Sequence, residues 1–397
     1  MNILYIHPAG TFGGASKSLV ELFLVLKQHK VTGYVITPKG SSAKAFKNAG
    51  MYALETNGLS QFDNTKFGYY RGLRWLILLR EIFLLPASIL SLIRTKALNV
   101  RFDFLHINDI TLLPIGIIAK WLFRIPLIVH VRSVQRGNCS DLRTKLVFNM
   151  LHKYSDAIIC IDETVLQSIP YNIKNTVIHN GLGLGENEYI RSEKQSGIIN
   201  VGMVGVLLKM KGVYEFIEAA KILCLDRKLN VGFYLYGVNA RSVSGIKTWI
   251  YKKLKFSENV ELGIQEFIKK NKLENNIFLK GFVSDVRDIY PNLDVLCFPS
   301  HLNAVGRPVF EAAFYGIPSV VAVKNASADS IQHGITGLAI ERPDALLLAN
   351  ALEQLILDSN YRNQLGSQAK NWAHRYFDIQ INAMKLFGVY QKLIKLN

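Results

Sequence analysis

Residues 200–223 read NVGMVGVLLKMKGVYEFIEAAKIL, and this stretch decides the fold class. Its first five residues form a short apolar run with the length of a buried strand. Gly205 begins the loop that follows, and an amphipathic helical pattern starts near Lys211 and Gly212. A buried strand that leads directly into a helix is typical of the repeating unit of a parallel sheet. The stretch therefore predicts an α/β fold.

The same alternation of apolar runs and helical patterns occurs in both halves of the chain. Because 397 residues exceed the usual size of one hydrophobic core, we expect two Rossmann-like domains that face each other across a cleft. The N-terminal domain would span residues 1–180, a Gly-rich linker residues 181–197, and the C-terminal domain residues 198–375. The predicted strands are Ile3–Ile6, Gly33–Thr37, Phe104–Ile107, Leu127–Val131, Ala157–Ile161, Asn200–Val204, Val231–Tyr236, Ile277–Lys280, Val295–Phe298 and Ser319–Ala322.

The composition excludes several classes of protein. A hydrophobic content of 49% is ample for two buried sheets. The N-terminal sequence MNILYIHP has neither the basic segment nor the apolar core of a signal peptide, and it predicts a first strand. The cysteines are scattered singly and without CxxC spacing, so we expect no disulfide framework, no metal site and a reducing, cytoplasmic location. They are Cys139, Cys160, Cys224 and Cys297.

The net charge of +17 predicts an anionic partner. Residues 1–180 carry 21 basic and 10 acidic residues, a net charge of +11, and residues 181–397 carry 26 and 20, a net charge of +6. We expect no nucleic-acid partner, because the sequence contains no helix-turn-helix, zinc-finger or RNP-like pattern. An anionic membrane surface is the favoured interpretation.

One segment of the N-terminal half, KFGYYRGLRWLILLREIFLLPASILSLIRTK at residues 66–96, supports the membrane interpretation. Arg80 and Glu81 interrupt its apolar run and Pro86 would kink it, so neither half reaches the roughly 20 residues of a spanning helix. We expect the segment to lie on a membrane surface, although a buried helix pair would show the same apolar density. The side chains expected at that surface are Tyr69, Tyr70, Arg71, Arg74, Trp75, Arg80, Phe83, Arg94 and Lys96.

Two loops at the expected carboxyl edges of the sheets are candidates for ligand binding. Gly13 and Gly14 lie between the first strand and a helix that should begin near Ala15 or Ser16, so an anionic or hydroxyl-rich ligand could approach the backbone there. A plain strand-to-helix turn would also use glycines. In the second half, Lys211 at the start of its helix would neutralise a diphosphate, with a solvated lysine as the alternative.

A third loop, in NAVGRPVFEAAFYGIPSV at residues 303–320, precedes another helix. Pro308 suits the first turn of a helix, so Val305 and Gly306 would present backbone amides and Arg307 a guanidinium at its positive end. One turn further, Glu311 interrupts a small and apolar face, where its carboxylate could accept two hydrogen bonds from a ribose diol. The amide of Asn303 could bind sugar hydroxyls, or it could serve as a turn or cap residue.

These motifs together resemble those of the retaining glycosyltransferases of family 4, which have the GT-B fold. The similarity covers nearly the whole chain and adds the closing segment WAHRYFDIQINAMKLFGVYQKLI, which resembles a terminal helix that packs back on the N-terminal domain over residues 376–397. The motifs that carry it are GGASKSL, VIHNGLG, VGVLLKMKGVYEFIEAA, FLKGFVSDVRDIYPNLDVLCFPS and NAVGRPVFEAAFYGIPSVV.

The resemblance implies transfer of a sugar from a nucleotide diphosphate-sugar, with retention of configuration and without a metal ion or other cofactor. Glu311 would hold the nucleotide ribose and Lys211 the diphosphate. Gly14 would lie near the phosphate and the acceptor, and Phe282 would lie beside the nucleobase through its backbone. The acceptor would be a glycan or a polyprenol-linked saccharide in bacterial surface polysaccharide synthesis, at the inner face of the cell membrane.

Three residues depart from the pattern of the family. Asn303 stands where a glutamate is usual, so recognition of the donor sugar would differ from the common hexose pattern. Val206 replaces an arginine, and we expect Arg307 to supply part of that charge. Arg132 occupies the place of a histidine beside the donor sugar, where it exchanges a titratable group for a permanent cation. For the nearby His130 we expect a place in the core.

Two alternatives stay open at this point. A nucleotide-sugar epimerase can share the fold and the donor pocket, although no acid and base residues are clearly placed for it. The three departures would also suit a catalytically degenerate protein that only binds a nucleotide-sugar.

Overall fold

The structure is a computed structural model that describes residues 1–66, 68, 70, 72–137, 141–170, 173, 175–183, 197–239, 259–283 and 285–396. The chain divides into two compact units, Met1–Gly183 with Tyr376–Asn397, and Leu184–Arg375. Each unit contains one parallel sheet flanked by helices, so the prediction of two Rossmann-like domains is confirmed. Cys139 and most of the expected linker, residues 184–196, lie outside the described residues.

The first unit contains a parallel sheet of seven strands in the described residues, in the order β3-β2-β1-β4-β5-β6-β7. Its central strand is covered on both faces, because Leu4 and Ile6 pack into one apolar cluster and Ile3 and Tyr5 into another. A run of apolar residues without alternation is therefore what this strand requires. The strands are β1 Asn2–Ile6, β2 Thr32–Pro38, β3 Tyr52–Thr56, β4 Phe104–Ile107, β5 Leu127–Val131, β6 Ala157–Cys160 and β7 Thr176–Val177.

Helices pack on both faces of this sheet. The last helix of the chain, α12 (Ile379–Leu396), packs against α1, so the C-terminal segment returns to the first unit as predicted. Gly181 lies against Ile379 with no room for a Cβ, so the start of the expected linker is packed into this unit. The other helices are α1 Gly14–Gln28, α2 Ser41–Asn48, α3 Ile77–Lys96, α4 Leu113–Phe123, α5 Leu142–Tyr154 and α6 Glu163–Leu166.

The structure contradicts the expectation that Pro86 would kink the apolar segment, because helix α3 continues through it. It runs for 20 residues through Pro86 without a break. The proline removes one amide donor, but Glu81 and Leu92 are buried on either side of it and hold both halves of the helix on the unit. By length and composition alone, the helical residues Arg74–Lys96 would suffice to cross a membrane.

The aromatic residues before α3 differ from the expectation in one respect. Tyr70 is only 3% exposed and stacks on Trp75, with 5.0 Å between the ring centroids. The guanidinium of Arg143 covers both rings. Tyr70 is therefore part of the domain interior, whereas Trp75 and Phe83 are exposed as predicted. Tyr69 and Arg71 lie outside the described residues.

The second unit contains a parallel sheet of six strands among its described residues, in the order β10-β9-β8-β11-β12-β13. The strands are β8 Ile199–Val204, β9 Val231–Tyr236, β10 Ile277–Gly281, β11 Val295–Phe298, β12 Ser319–Ala322 and β13 Gly337–Ile340. The helices are α7 Val213–Lys221, α8 Val260–Asn271, α9 Arg307–Phe314, α10 Ala345–Leu357 and α11 Ser359–Phe377. The sequence interpretation missed β3, β7 and β13.

Candidate active site

Glu311 lies on the buried side of helix α9 in the second unit. Gly306 caps the amino end of the helix and Pro308 lies in its first turn, as predicted for this sequence. The Glu311 side chain is 5% exposed, and both of its oxygens are bonded. Oε1 accepts a hydrogen bond from Arg307 Nε at 2.6 Å, and Oε2 accepts one from the Tyr290 hydroxyl at 2.7 Å.

Tyr290 is a residue that the sequence interpretation did not find. It is fully buried after β10, in the short 3-10 turn Tyr290–Asn292. Burial and the neighbouring Glu311 raise the pKa of Tyr290 well above its ordinary value, so the hydroxyl keeps its proton and remains a donor. Its sequence context, IYPNLD, gives no signal of a contact with a residue 21 positions away.

Arg307 was expected to present its guanidinium to a diphosphate, and that role stays a prediction. Its Nε is bonded to Glu311 one turn further along the same helix, and the guanidinium covers the ring of Phe310 at 5.3 Å. The reason is the spacing, because residues four apart on a helix lie on the same face. The charge of Arg307 is thus directed to Glu311 in this structure.

Lys211 lies in a loop whose shape depends on glycine. Gly212, which follows it, has a φ of +79°, and a Cβ there would overlap the carbonyl oxygen of Pro299. This contact brings the loop after β8 against the end of β11. The Lys211 ammonium lies 5.5 Å from the centroid of the Phe298 ring.

The surroundings of Lys211 favour an anionic ligand. Burial lowers the pKa of its ammonium. Among the residues that the structure describes, no carboxylate forms an ion pair with it. The same Phe298 ring packs on Gly306 at the amino end of α9, where a Cβ would lie 2.5 Å from Cζ. A desolvated cation and the first turn of a helix therefore flank one aromatic ring, and both favour negative charge.

The remaining predicted residues of the second unit have mixed placements. Gly205, with a φ of +145°, has open space where a side chain would be. The ring of Phe282 is 72% exposed beyond the end of β10. Val305 is half-buried before α9. Their roles in ligand binding stay predictions.

Asn303 is a turn residue in this structure. Its φ is +48°, a conformation that asparagine tolerates better than most residues. Its Oδ1 accepts a hydrogen bond from Lys324 N at 2.7 Å, and its Nδ2 lies 3.4 Å from Lys324 O. The amide that was a candidate for sugar hydroxyls thus joins two loops at the end of the sheet. Val206, which the resemblance marked as a departure, is exposed.

In the first unit, Gly13 and Gly14 lie at the carboxyl end of β1. Helix α1 begins at Gly14, one or two residues before the predicted start, and Gly13 is its N-cap. No atom lies within 4 Å of the position of a Cβ at either glycine. Both glycines are therefore accessible to a ligand, as predicted for a glycine-rich turn.

Arg132 belongs to a polar network at the same edge of the sheet. Its Nη2 donates to Asn108 Oδ1 at 2.7 Å, its Nε to Asn108 O at 2.9 Å, and its Nη1 to Asn180 Oδ1 at 2.8 Å. Asn108 in turn bonds His7 at 2.8 Å. The guanidinium thus joins the segments after β1, β4 and β5 with the segment after β7. Sequence interpretation missed the two asparagines, although each closely follows a strand.

Burial and Arg132 keep the nearby histidines neutral. The pKa of His7 and that of His106 are lowered to about 3, by burial first and by Arg132 second. The pKa of His130 is lowered well below its ordinary value, by burial first and then by Arg132 and His106. His130 is 1% exposed and stacks on His106, with 5.5 Å between ring centroids, so its predicted place in the core is what the structure has. None of the three is an acid at neutral pH.

The described residues contain no group of three or more His, Cys, Asp or Glu side chains that could hold a metal ion. The charged side chains at the two carboxyl edges include Lys211, Glu311 with Arg307, and Arg132.

The comparison with known families agrees with this arrangement. The family model described as Glycosyltransferase Family 4 matches residues 12–185, and the one described as Glycosyl transferases group 1 matches residues 187–372. Together they span nearly the whole chain. The chain therefore belongs to the family 4 glycosyltransferases and has the GT-B fold.

Among curated proteins, the chain is similar to the capsular polysaccharide biosynthesis glycosyltransferase CapM of Staphylococcus aureus, with 26% identity over 51% of this chain and 50% of CapM. It is also 27% identical to the D-inositol 3-phosphate glycosyltransferase of Corynebacterium urealyticum, over 49% of this chain and 43% of that protein. The chain thus spans about half the length, or less, of these two relatives.

Among solved structures, Anabaena Alr3699/HepE in complex with UDP and glucose has the same fold. Its TM-score with this chain is 0.73 at 19% identity, and the alignment covers 98% of this chain and 99% of that one.

Proposed function

We propose that the protein transfers a sugar, with retention of configuration and without a metal ion, from a nucleotide diphosphate-sugar to a glycan or lipid-linked saccharide acceptor. The process would be surface polysaccharide synthesis in a bacterium. The protein would work in the cytoplasm, at the inner face of the cell membrane.

The observation that carries the proposal is the environment of Lys211. Its ammonium is desolvated, lacks a carboxylate partner among the described residues, and lies with the amino end of α9 around the Phe298 ring. Lys211 is half-buried, and a partly desolvated cation is less favourable until an anion neutralises it. A diphosphate offers two charges and several acceptor oxygens to one ammonium and to the backbone amides of a helix end.

The same groups suit the chemistry of the transfer. When the bond between the anomeric carbon and the diphosphate breaks, the electron pair moves to the phosphate oxygen. The acceptor hydroxyl then attacks from the same face, and its proton passes to that oxygen. Lys211 and the helix amides stabilise the charge that develops on the leaving group, which is where electrostatic catalysis has its largest effect. No protein nucleophile and no protein base are required.

Similar proteins support the proposed nucleotide diphosphate-sugar donor and the proposed role in polysaccharide synthesis. UDP and UDP-glucose are bound in solved structures of the Anabaena protein, which shares the fold. CapM is described by its name as an enzyme of capsular polysaccharide biosynthesis. A nucleotide diphosphate-sugar donor and a polysaccharide product follow for this chain if its function has been kept with its fold.

The net positive charge of the chain is the reason for proposing an anionic membrane surface as a partner. Residues 1–180 carry a net charge of +11, against +6 for residues 181–397. Basic residues near an acidic leaflet contribute about 1 kcal/mol each before screening. We expect the protein to sediment with acidic liposomes at low salt and to be released when the salt concentration is raised.

The direct test compares two lysines of the same turn, Lys209 and Lys211. Nucleotide diphosphate release from a panel of nucleotide-sugars would be measured in the presence of bacterial membrane lipid extract. We expect Lys211→Ala to lower turnover by about 10²–10³-fold. Lys209 is exposed, so Lys209→Ala should leave turnover within a factor of about 2.

Three outcomes would contradict the proposal. Equal turnover in the two variants would remove Lys211 from the diphosphate site. Conversion of a nucleotide-sugar into its epimer without an acceptor would indicate an epimerase. Binding of nucleotide-sugars without any acceptor-dependent release would indicate a protein that only binds them.

A further inference from the structure

The fully buried residues of helix α3 are mostly polar, beside the half-buried Leu84 and Leu85 that pack on the unit, and an apolar side of the helix is directed outwards. The buried residues are Glu81, Ser88, Ser91, Leu92 and Thr95, of which only one is apolar. On the opposite side, Phe83 is 81% and Ile82 63% exposed. A surface helix of a globular domain normally has the reverse arrangement. The outward apolar side, here called the α3 face, consists of Leu79, Ile82, Phe83, Leu90 and Ile93.

Specific hydrogen bonds fix this orientation. The carboxylate of Glu81 accepts a hydrogen bond from Gln61 N at 2.8 Å, and Ser88 Oγ accepts one from Ser60 N at 2.8 Å. Thr95, two turns further, is fully buried. These contacts extend over four turns, so α3 lies along the surface of the unit. It cannot rotate its apolar side inwards without leaving the Glu81 carboxylate and two backbone amides unsatisfied, which is costly.

The charges around the α3 face match an acidic bilayer. Exposed basic side chains lie near both ends of the helix, Arg74 at the start and Arg94 and Lys96 at the end. Arg80, also at the start, is paired with Glu81. Trp75 is exposed beside the first turn. An apolar stripe flanked by basic and aromatic side chains is typical of a helix that lies in the plane of a membrane interface.

Next to α3, at the carboxyl edge of the sheet, lies a pocket of about 330 Å³. Among the described residues, its lining contains no lysine or arginine and is mostly polar, with Gln61, Asp63, Asp109, Thr111 and Ser133. Its volume is at the lower end of the range for ligand pockets. Carboxylates, amides and hydroxyls in a small pocket are acceptors and donors for a hydroxyl-rich ligand such as a sugar residue.

One residue joins the pocket to the helix. Gln61 lines the pocket, and its backbone N–H is the donor to Glu81 on α3. Its side chain accepts from Thr111 at 3.2 Å and donates to Pro8 O at 3.2 Å. The position of Gln61 in the pocket is therefore fixed by α3 on one side and by the ends of β1 and β4 on the other.

We propose that the α3 face inserts into the bilayer that holds a lipid-linked acceptor, and that the pocket around Gln61, Asp63 and Asp109 receives the sugar residue of that acceptor. The bond between Glu81 and Gln61 sets the pocket at a fixed position relative to the membrane, which makes Glu81 a positioning residue. The inference rests on the proposed function for the identity of the pocket's ligand, and on the geometry of α3 for the membrane.

The first experiment measures sedimentation with vesicles of phosphatidylglycerol and phosphatidylcholine at a salt concentration that screens surface charge. We expect the double variant Ile82→Gln/Phe83→Gln to lower the bound fraction at least tenfold. Leu357→Gln, which changes an equally exposed apolar residue of the second unit, should leave it unchanged. Equal binding of all three proteins would overturn the inference. A dimer in sedimentation velocity that the double variant dissolves would also overturn it, because the occupant would then be a second copy of the chain.

The second experiment tests the pocket with methyl hexosides as probes, by saturation-transfer NMR. At least one of a panel should give a signal that Asp63→Asn/Asp109→Asn lowers several-fold. The matched control is Asp103→Asn, at the opposite end of β4, where the side chain also accepts a backbone N–H. Absence of any signal, or an equal signal in all three proteins, would overturn the pocket assignment.

A third variant tests the connection between helix and pocket. Glu81→Ala should lower the methyl hexoside signal, and Glu81→Gln, which keeps an acceptor for Gln61 N, should restore it; equal signals in both would remove Glu81 from its positioning role. These measurements use neither a donor nor turnover. Failure of the inference is therefore distinguishable from failure of the proposed function, which is read from Lys211→Ala and nucleotide.

Discussion

Two cations at the carboxyl edges of two similar sheets have different surroundings. Arg132, directly after β5 in the first unit, donates to Asn108 and Asn180 and joins four strand ends. Lys211, after β8 in the second unit, is desolvated and has no carboxylate partner among the described residues. We therefore predict that Arg132 stabilises the first unit and that Lys211 binds a ligand, because a partly desolvated cation without a carboxylate partner favours an anion. The role that the resemblance implies for Arg132 beside the donor sugar stays a prediction.

The largest expected change in the free energy of unfolding comes from breaking one of two ion pairs of the second unit that differ in burial. Glu311→Ala removes the partner of Arg307, whose side chain is only 12% exposed, and should lower the free energy of unfolding by about 3–5 kcal/mol. Glu353→Ala breaks the more exposed pair with Arg227 and should cost below about 1 kcal/mol. Urea denaturation measures both. Similar costs for the two variants would contradict the account of Glu311 as a buried, positioned carboxylate.

The next prediction concerns the structural role of Arg132. Arg132→Lys keeps the charge but loses the fork that bonds Asn108 and Asn180 together, so we expect a loss of about 1.5–3 kcal/mol of stability. Arg101→Lys, at an exposed position of the same unit, is the control. A stability equal to that of the unaltered protein, in the same denaturation experiment, would show that the network contributes nothing.

A third prediction uses the neutral histidines of the first unit. The pKa of His106 is about 3 in the folded protein and about 6.5 in an unfolded chain. Below pH 6.5 the unfolded chain binds a proton that the folded protein does not. Stability is therefore complete above pH 6.5 and is lost as the pH falls towards 3, by about 1.4 kcal/mol per pH unit for this histidine.

Urea denaturation between pH 7 and pH 5 checks this slope. His106→Gln should reduce it, and His29→Gln, which changes an exposed histidine, should not. An unaltered slope in His106→Gln would mean that His106 is protonated in the folded protein, contrary to its buried position.

The smallest expected change in stability is at Asn303, which the structure places in a turn. Asn303→Gly loses the hydrogen bond to Lys324 N but suits the positive φ, whereas Asn303→Ala loses the bond and adds strain. We therefore expect Asn303→Ala to be less stable than Asn303→Gly by about 1 kcal/mol. If the alanine variant is the more stable of the two, the turn role is wrong, and a ligand role for the amide becomes the better interpretation.

Most strands could be predicted because a strand buried on both faces needs a continuous apolar run, as in β1 and β11. The strands that were missed, β3, β7 and β13, lie at the edges of the two sheets. An edge strand has one neighbour and is less covered, so sequences such as YALET carry polar residues and give a weak signal. Pro86 misled the interpretation of α3, because tertiary contacts on both sides outweigh one missing hydrogen bond.

The loops of the candidate site could be predicted, whereas the partners of their side chains could not. Lys211 and Glu311 follow strands, and the carboxyl edge of a parallel sheet is where ligands bind. Tyr290 contacts Glu311 from 21 residues away, and Asn180 contacts Arg132 from 48 residues away. Such pairs depend on how distant segments meet in the fold, and no local pattern encodes them. For the same reason, the pairing of Arg307 with Glu311 was not part of the sequence prediction.

The most direct test of the central claim is the dissociation constant of nucleoside diphosphate, measured by calorimetry in Lys211→Ala and Arg132→Lys. UDP, GDP, ADP and dTDP would first be compared with the unaltered protein, and the tightest of them used. We expect Lys211→Ala to weaken binding about 100-fold, and Arg132→Lys to change it by less than a factor of about 3 while lowering stability. Unchanged affinity in Lys211→Ala, with weakened affinity in Arg132→Lys, would contradict the claim that the unsatisfied cation of the second unit binds the donor.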